Sequence, residues 1–366
     1  MQNRVIMITG AAGFLAAAVT VDLARHHSIV AIDRRLPSSA LIKAAPSVTW
    51  RRVDIAHRDS LAGVFRETKE RFARIDLVIH FAAFYHSGLG WRREYQQTNV
   101  LGTESVLQLA IESDVRHLIF ASSMIVMLPG APGQPLTERT PAAEYMPYGR
   151  SKAIGERLIK EASGRLRSVT PRIGGVFSDW CELPLLYTLV KLWAGRAPLN
   201  RVVLGRGNSG IPYIHRDDLV RLVCCCIARH REFETHEVFL ASQHGAVLDN
   251  ELFHAMHEAR SERRIAKPAY VPRGVAKVGV WARQVSGLAA RNRLLERPWM
   301  LRYLDQPWIA DTSYTRAKLD WDCSERLGIR ERIPVIVDHF IRERRAWERR
   351  NKARNRSRYS YAPNGT

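Results

Sequence analysis

Short apolar runs separated by amphipathic stretches fill the first half of the chain. Val5 to Thr9 is such a run, without the alternation of a strand that wets one face. An alanine-rich stretch over 16–26 follows with helical character. Apolar runs at 28–33, 48–53, 77–82 and 117–122 then alternate with helical patterns near 60–72 and 94–113. That alternation predicts an α/β fold, a Rossmann-type doubly wound parallel sheet covered by helices on both faces. Beyond Lys152 it loosens: 169–177 and 237–241 read as strands, and segments near 183–195, 217–230 and 249–260 as helices. Stretches punctuated by Pro and Gly at 196–212 and 267–274 leave the sheet.

The turn between the first strand and helix reads Thr9-Gly10-Ala11-Ala12-Gly13-Phe14-Leu15-Ala16. Small residues at a helix N-terminus let backbone amides approach a pyrophosphate, which makes Gly10, Ala12, Gly13, Phe14 and Leu15 candidate dinucleotide contacts. The spacing is Gly-x-x-Gly-x-x-Ala, not the common Gly-x-Gly-x-x-Gly. Asp33 ends the second strand about 20 residues later, where a carboxylate accepts from an adenosine ribose and repels a 2′-phosphate. NAD is therefore expected over NADP, with Arg34 and Arg35 softening the preference. Tyr148 and Lys152 stand four apart, on one face of a helix. A phenol with a reference pKa of about 10 is a poor acid or base at neutral pH, and an adjacent ammonium favours its phenolate.

Composition adds few constraints. The net charge is +20, and much of the excess falls at the C-terminus, where nine cations between Arg342 and Arg358 meet only Glu343 and Glu348. No zinc-finger spacing or RNA-binding aromatic motif accompanies it, so nucleic acid is not an expected partner. No metal site is expected either. Five cysteines, three of them adjacent at 224–226, read as small core residues of a reduced, cytoplasmic protein. The longest apolar stretch, 183–194, is too short to span a bilayer and contains Lys191. A mix of Val, Trp and Arg over 271–304 reads as a lid, as a peripheral contact with the inner membrane surface, or as packing against the substrate lobe. A helical pattern over 334–350 with Ile336, Phe340, Ile341 and Trp347 is expected to dock on the fold.

With these residues go His80-Phe81-Ala82-Ala83, Asn99-Val100-Leu101-Gly102-Thr103, Ser122-Ser123, Pro171-Arg172-Ile173-Gly174-Gly175 and Tyr213-Ile214-His215-Arg216-Asp217-Asp218. In this order the set resembles the extended short-chain dehydrogenase/reductase family, which includes nucleotide-sugar epimerases and dehydratases and 3β-hydroxysteroid-dehydrogenase-like enzymes. The resemblance implies that Asp54 and Ile55 flank the adenine and that Phe81, Ala82 and Ala83 line the cofactor. It implies that Tyr148 exchanges the substrate hydroxyl proton, that Ser123 bonds the same oxygen, and that Lys152 holds the nicotinamide ribose. Asn99 organises the site from its helix, Ser122 and Ile173 complete the cofactor wall, and His215 is structural. The organisation implied is an NAD-binding domain over 1–178, rejoined by 213–245, a smaller C-terminal substrate lobe from 179–212 and 246–340, and a basic tail over 341–366. A homodimer through the helices near 94–113 and 147–162 is also implied.

Departures from the family narrow the substrate. Met124 and Ile125 replace the acidic pair of dehydratases, Gly175 an asparagine common in sugar epimerases, Ile211-Pro212 an arginine, and Met127 a tyrosine. Losing polar diphosphate contacts points to a less polar small-molecule alcohol or ketone, although Arg201, Arg206 and Arg216 offer a relocated anion site. The expected activity is NAD-dependent hydride transfer at a secondary alcohol or ketone. The alternatives are a nucleotide-sugar 4-epimerase and a non-catalytic NAD-binding scaffold.

Overall fold

The structure, a computed structural model, describes residues 3–86, 88, 90–128, 133–196, 199–260, 267–279, 281 and 298–355, with backbone alone at 298–300 and 352–355. β1 (Val5–Thr9) is buried along its whole length, as its unbroken apolar run requires. It pairs in parallel with β2 (Ser28–Asp33), which pairs with β3 (Thr49–Arg52). On its other edge β1 pairs with β4 (Leu77–His80), followed outward by β5 (His117–Phe120). The two-residue β6 (Ser122–Ser123) and β5 both pair with β7 (Arg167–Ile173). Six strands follow: β8 (Gly175–Phe177), β9 (Val202–Leu204), β10 (Gly210–Ile211), β11 (Tyr213–His215), β12 (His236–Ala241) and β13 (Val247–Leu248). β12 closes the sheet beside β7, while β11 runs parallel to β8. A last strand, β14 (Ala269–Val271), pairs with β9 in the lobe.

Helices cover both faces. On one, α1 (Phe14–Leu23), α2 (Ser39–Ala44) and, later in the chain, residues of Arg216–Ala228 share a core with β1 and β2 through Ala16, Ala17, Val19, Leu41, Leu219 and Leu222. On the other, α3 (Arg58–Phe72), α4 (Gly102–Glu112) and α5 (Pro147–Glu161) pack through Leu61, Phe65, Val106 and Ile159. The expected doubly wound parallel sheet is present. The chain crosses from one face to the other between β1 and β4, the switch point beside which open parallel sheets bind their ligands.

A separate apolar core joins Pro184–Trp193, Asp249–Arg260 and Ile329–Arg342 through Trp193, Phe253, Ile333, Val337 and Phe340. Two elements differ from the sequence expectation. The single helix near 94–113 is instead a π-helical segment, Tyr95–Leu101, leading into α4. The basic tail does not begin at 341: Arg344–Asn355 is a helix whose Trp347 is fully buried, stacked 4.6 Å from Tyr187 and edge-on to Phe340 at 4.9 Å. Arg350 pairs with buried Glu182 at 2.7 Å, and Asn351 donates to the Trp180 carbonyl at 3.0 Å. Trp347 docks on the fold as expected, from a helix otherwise rich in arginine. Residues 356–366, and most of the 271–304 segment beyond Trp281, lie outside the described residues.

Candidate active site

Gly10 leaves β1 with φ +70, a left-handed conformation open to glycine. A Cβ there would stand 2.7 Å from the Ala82 amide nitrogen, so the loops after β1 and β4 meet at this point. Gly13 donates to the Gly10 carbonyl at 2.9 Å and precedes α1, which has no side-chain cap and no acidic residue in its first turn. The first turn of that helix thus carries no carboxylate of its own to offset the dipole. The cradle fits a dinucleotide pyrophosphate: backbone lies close to backbone and a side chain would fill the space.

Asp33 is buried at the end of β2. One carboxylate oxygen accepts from the Ala12 amide at 3.0 Å and the other from the Arg35 amide at 2.9 Å. The first oxygen keeps a lone pair, which fits a ribose hydroxyl. Arg34 is exposed, and its carbonyl accepts from Arg52 at 3.4 Å. Asp54 accepts from the Ala56 amide at 3.0 Å, while Ile55 is buried against Gly102, whose Cβ would meet it at 2.8 Å. The Phe81 and Ala82 amides hang from Thr9, through its carbonyl at 3.2 Å and its hydroxyl at 3.3 Å. Ala83 is exposed beyond them.

His80 explains the stiffness of this corner. Its Nδ1 lies 2.6 Å from the Thr9 hydroxyl and its Nε2 2.9 Å from the Thr103 hydroxyl, joining β1, β4 and α4. Burial pushes its pKa down to about 3. The sequence reading placed His80 in a motif without giving it a role. A histidine ending a buried strand was the available signal.

Ser123, Tyr148 and Lys152 come from β6 and α5, which pack together. The Ser123 hydroxyl contacts the Ile173 carbonyl at 3.5 Å. Pro147 opens α5, and its Gly149 lets the helix approach the Ile125 carbonyl, which a Cβ would meet at 2.8 Å. Tyr148 is half-buried, with the ring of Tyr85 edge-on at 4.9 Å. Lys152 is buried, its ammonium 4.4 Å from the centre of the Phe120 ring. Gly155 makes that packing possible, since a Cβ would stand 2.6 Å from Phe120. Burial lowers the Lys152 pKa to about 7, with the Glu156 carboxylate opposing the shift.

Asn99 sits in the π-helical segment with its amide in use. It donates to the Phe84 carbonyl at 2.9 Å and to the Ser151 hydroxyl at 2.8 Å, and accepts from the Phe84 amide at 2.6 Å. It thus ties the loop after β4 to α5. Ser122 is buried and donates to Glu156, two residues whose connection sequence spacing does not reveal. Of the three candidate arginines, Arg216 packs 5.7 Å from the Phe14 ring, beside the glycine turn, while Arg201 donates to the Lys267 carbonyl. Met124 and Met127 lie in a small apolar core with Leu136 and Ala310. Among the described residues no group of three or more His, Cys, Asp or Glu side chains is placed to hold a metal.

A glycine-lined crevice at the switch point of a doubly wound sheet, with Ser, Tyr and Lys beyond it, defines a Rossmann-type protein of the extended short-chain dehydrogenase/reductase class. Residues 6–241 match the model described as the NAD dependent epimerase/dehydratase family, and the chain belongs to that family. It is 33% identical over 164 residues to a UDP-glucose 4-epimerase of Yersinia enterocolitica, covering 43% of this chain and 48% of that protein. A UDP-glucose 4-epimerase of Cyamopsis tetragonoloba is 29% identical over 176 residues, 44% of this chain and 48% of that one. The chain spans about half the length of the curated relatives it matches. Among solved structures, the UDP-glucose 4-epimerase of Thermotoga maritima with UDP-glucose superposes with a TM-score of 0.68 at 18% identity, covering 93% of this chain and 99% of that one. The UDP-glucuronic acid 4-epimerase of Bacillus cereus with UDP-glucuronic acid and NAD gives 0.67 at 17% identity, with the same coverage.

Proposed function

We propose that this protein is an NAD-dependent oxidoreductase that interconverts a secondary alcohol and its ketone. The observation that carries the reading is Lys152. An ammonium buried this deeply costs folding free energy, and no carboxylate lies within ion-pair distance of it among the described residues. One turn from Tyr148, its charge favours the phenolate, which takes the proton of the substrate hydroxyl. Ser123 donates a hydrogen bond to the same oxygen. NAD, when bound, supplies the hydride acceptor and donor. Gly10, Ala12, Gly13, Phe14 and Leu15 would hold its pyrophosphate and Asp33 its adenosine ribose. Asp54, Ile55, Phe81, Ala82, Ala83, Ser122 and Ile173 would form the remaining walls, with Asn99 positioning them.

The packing around Gly175 favours a weakly polar substrate. A Cβ there would lie 2.8 Å from Ile211, 3.2 Å from Leu183 and 3.3 Å from Tyr213, so apolar side chains occupy the space where sugar epimerases often carry asparagine. The second reading is a nucleotide-sugar 4-epimerase, favoured by the relatives named above. Incubation with NAD and cyclohexanol, a 3-hydroxysteroid, UDP-glucose and UDP-galactose separates them. The oxidoreductase reading expects NADH release with cyclohexanol or the steroid. Epimers of the UDP-sugars formed without NADH release would replace it by the second.

The finer partners belong to the same proposal. A homodimer through the π-helical segment, α4 and α5 is supported by Leu101, which is 47% exposed there. Peripheral membrane contact is supported by exposed Val275, Val278 and Trp281 interleaved with Arg273 and Lys277. Five free cysteines support a cytoplasmic location. No helix of the described residues is long and apolar enough to cross a membrane.

A further inference from the structure

Glu156 follows Lys152 by one helical turn and shares the α5 face of Tyr148 and Lys152. It is buried, and Arg172 of β7 grips its carboxylate through Nε at 3.1 Å and Nη2 at 2.8 Å. Ser122 donates to the same carboxylate. Arg172 continues to the Thr140 carbonyl at 2.6 Å, so the network also anchors the 137–140 turn. One carboxylate thus joins the elements that carry the candidate catalytic groups. Ser122 precedes Ser123 on β6, and Arg172 precedes Ile173, whose carbonyl meets the Ser123 hydroxyl.

Net stability is a weak reason for such a pair, because an apolar replacement of equal volume is often as stable. Its electrostatic surroundings give a stronger one. The groups facing Glu156 are Lys152 on α5, Arg172 on β7 and His236 on β12; His236 also faces Lys160 and Glu237, and His80 on β4 faces Lys152. Burial holds both histidines toward neutrality, so Glu156 is the carboxylate that acts on Lys152. We propose that Glu156 is a positioning residue: it locks α5 onto β6 and β7 and keeps the Lys152 ammonium charged beside Tyr148. The inference rests on the reading of Tyr148 as the proton-transfer group.

The test is kcat against pH, with NAD saturating and the fastest alcohol of the panel above. The variants are Glu156→Gln and the double variant Glu156→Gln/Arg172→Gln, in which two amides replace the ion pair and no lone charge stays buried. Expected in both is a loss of about tenfold in kcat with little change in KM; in Glu156→Gln, which removes the anion alone, the alkaline limb also moves to lower pH, because Lys152 sheds its proton sooner. Wild-type kcat and profile in the double variant would reduce Glu156 to a packing role and overturn the proposal. Glu156→Asp keeps the charge and shifts it by a methylene. A lowered kcat with an unmoved limb is expected there, and an unchanged kcat overturns the proposal whether or not the other variants fold. Tyr148→Phe, assayed alongside, separates the two levels. Full activity in Tyr148→Phe removes the reading of the site, whereas its loss together with wild-type Glu156 variants removes this inference alone.

Discussion

At the scale of single residues, the site depends on groups held away from their ordinary protonation. Burial lowers the Lys152 pKa to about 7, so the ammonium proposed to bias Tyr148 is lost as pH rises through that value. In the unliganded protein, an amine titration of Lys152 by NMR is expected to show a midpoint far below the usual lysine range. His80 acts on stability instead. Its folded pKa of about 3 lies below the unfolded value of 6.5, so its contribution is complete above pH 6.5 and shrinks as pH falls toward 3. Denaturant unfolding at a series of pH values should show that decline, and His80→Gln should flatten it. Gly10→Ala meets both a positive φ and the Ala82 backbone. A loss of NAD binding by more than about tenfold, read by calorimetry, is expected from that substitution.

At the scale of elements, what was legible followed from period and punctuation. The buried run at Val5–Thr9, the glycine turn and the Tyr148–Lys152 spacing each carry a local physical signature, and the parallel sheet follows from strand–helix alternation. The π-helical winding of Tyr95–Leu101 had none. Its cause is tertiary, since Asn99 bonds both the Phe84 backbone and Ser151. The Glu156–Arg172 pair was hidden for the same reason, its partners being 16 positions apart on different elements. The docking of Trp347 was legible in its apolar spacing with Ile336 and Phe340, whereas the break between the helices Ile329–Arg342 and Arg344–Asn355 and the length of the second were not, because charge dominates that composition. Trp347→Ala should therefore destabilise the protein by about 3–5 kcal/mol in urea unfolding, unlike a change in a solvated tail.

At the scale of the molecule, the strand order brings the glycine turn and the loop after β4 to one edge, with β6 and α5 beside them. The lobe keeps its own apolar core, and Ile211, Leu183 and Tyr213 pack around Gly175. A dinucleotide bound across that edge links sheet and loops, so NAD should raise the melting temperature, with about 2.7 kcal/mol of stabilisation at a hundredfold excess over Kd. NADP should raise it less, because Asp33 meets its 2′-phosphate. The most direct measurement is the initial rate of NADH formation from the panel alcohols by wild-type protein and Tyr148→Phe, both confirmed to bind NAD by that thermal shift. A fall of at least about a hundredfold in the variant with its NAD shift retained is the expected result. An undiminished rate in Tyr148→Phe would contradict it.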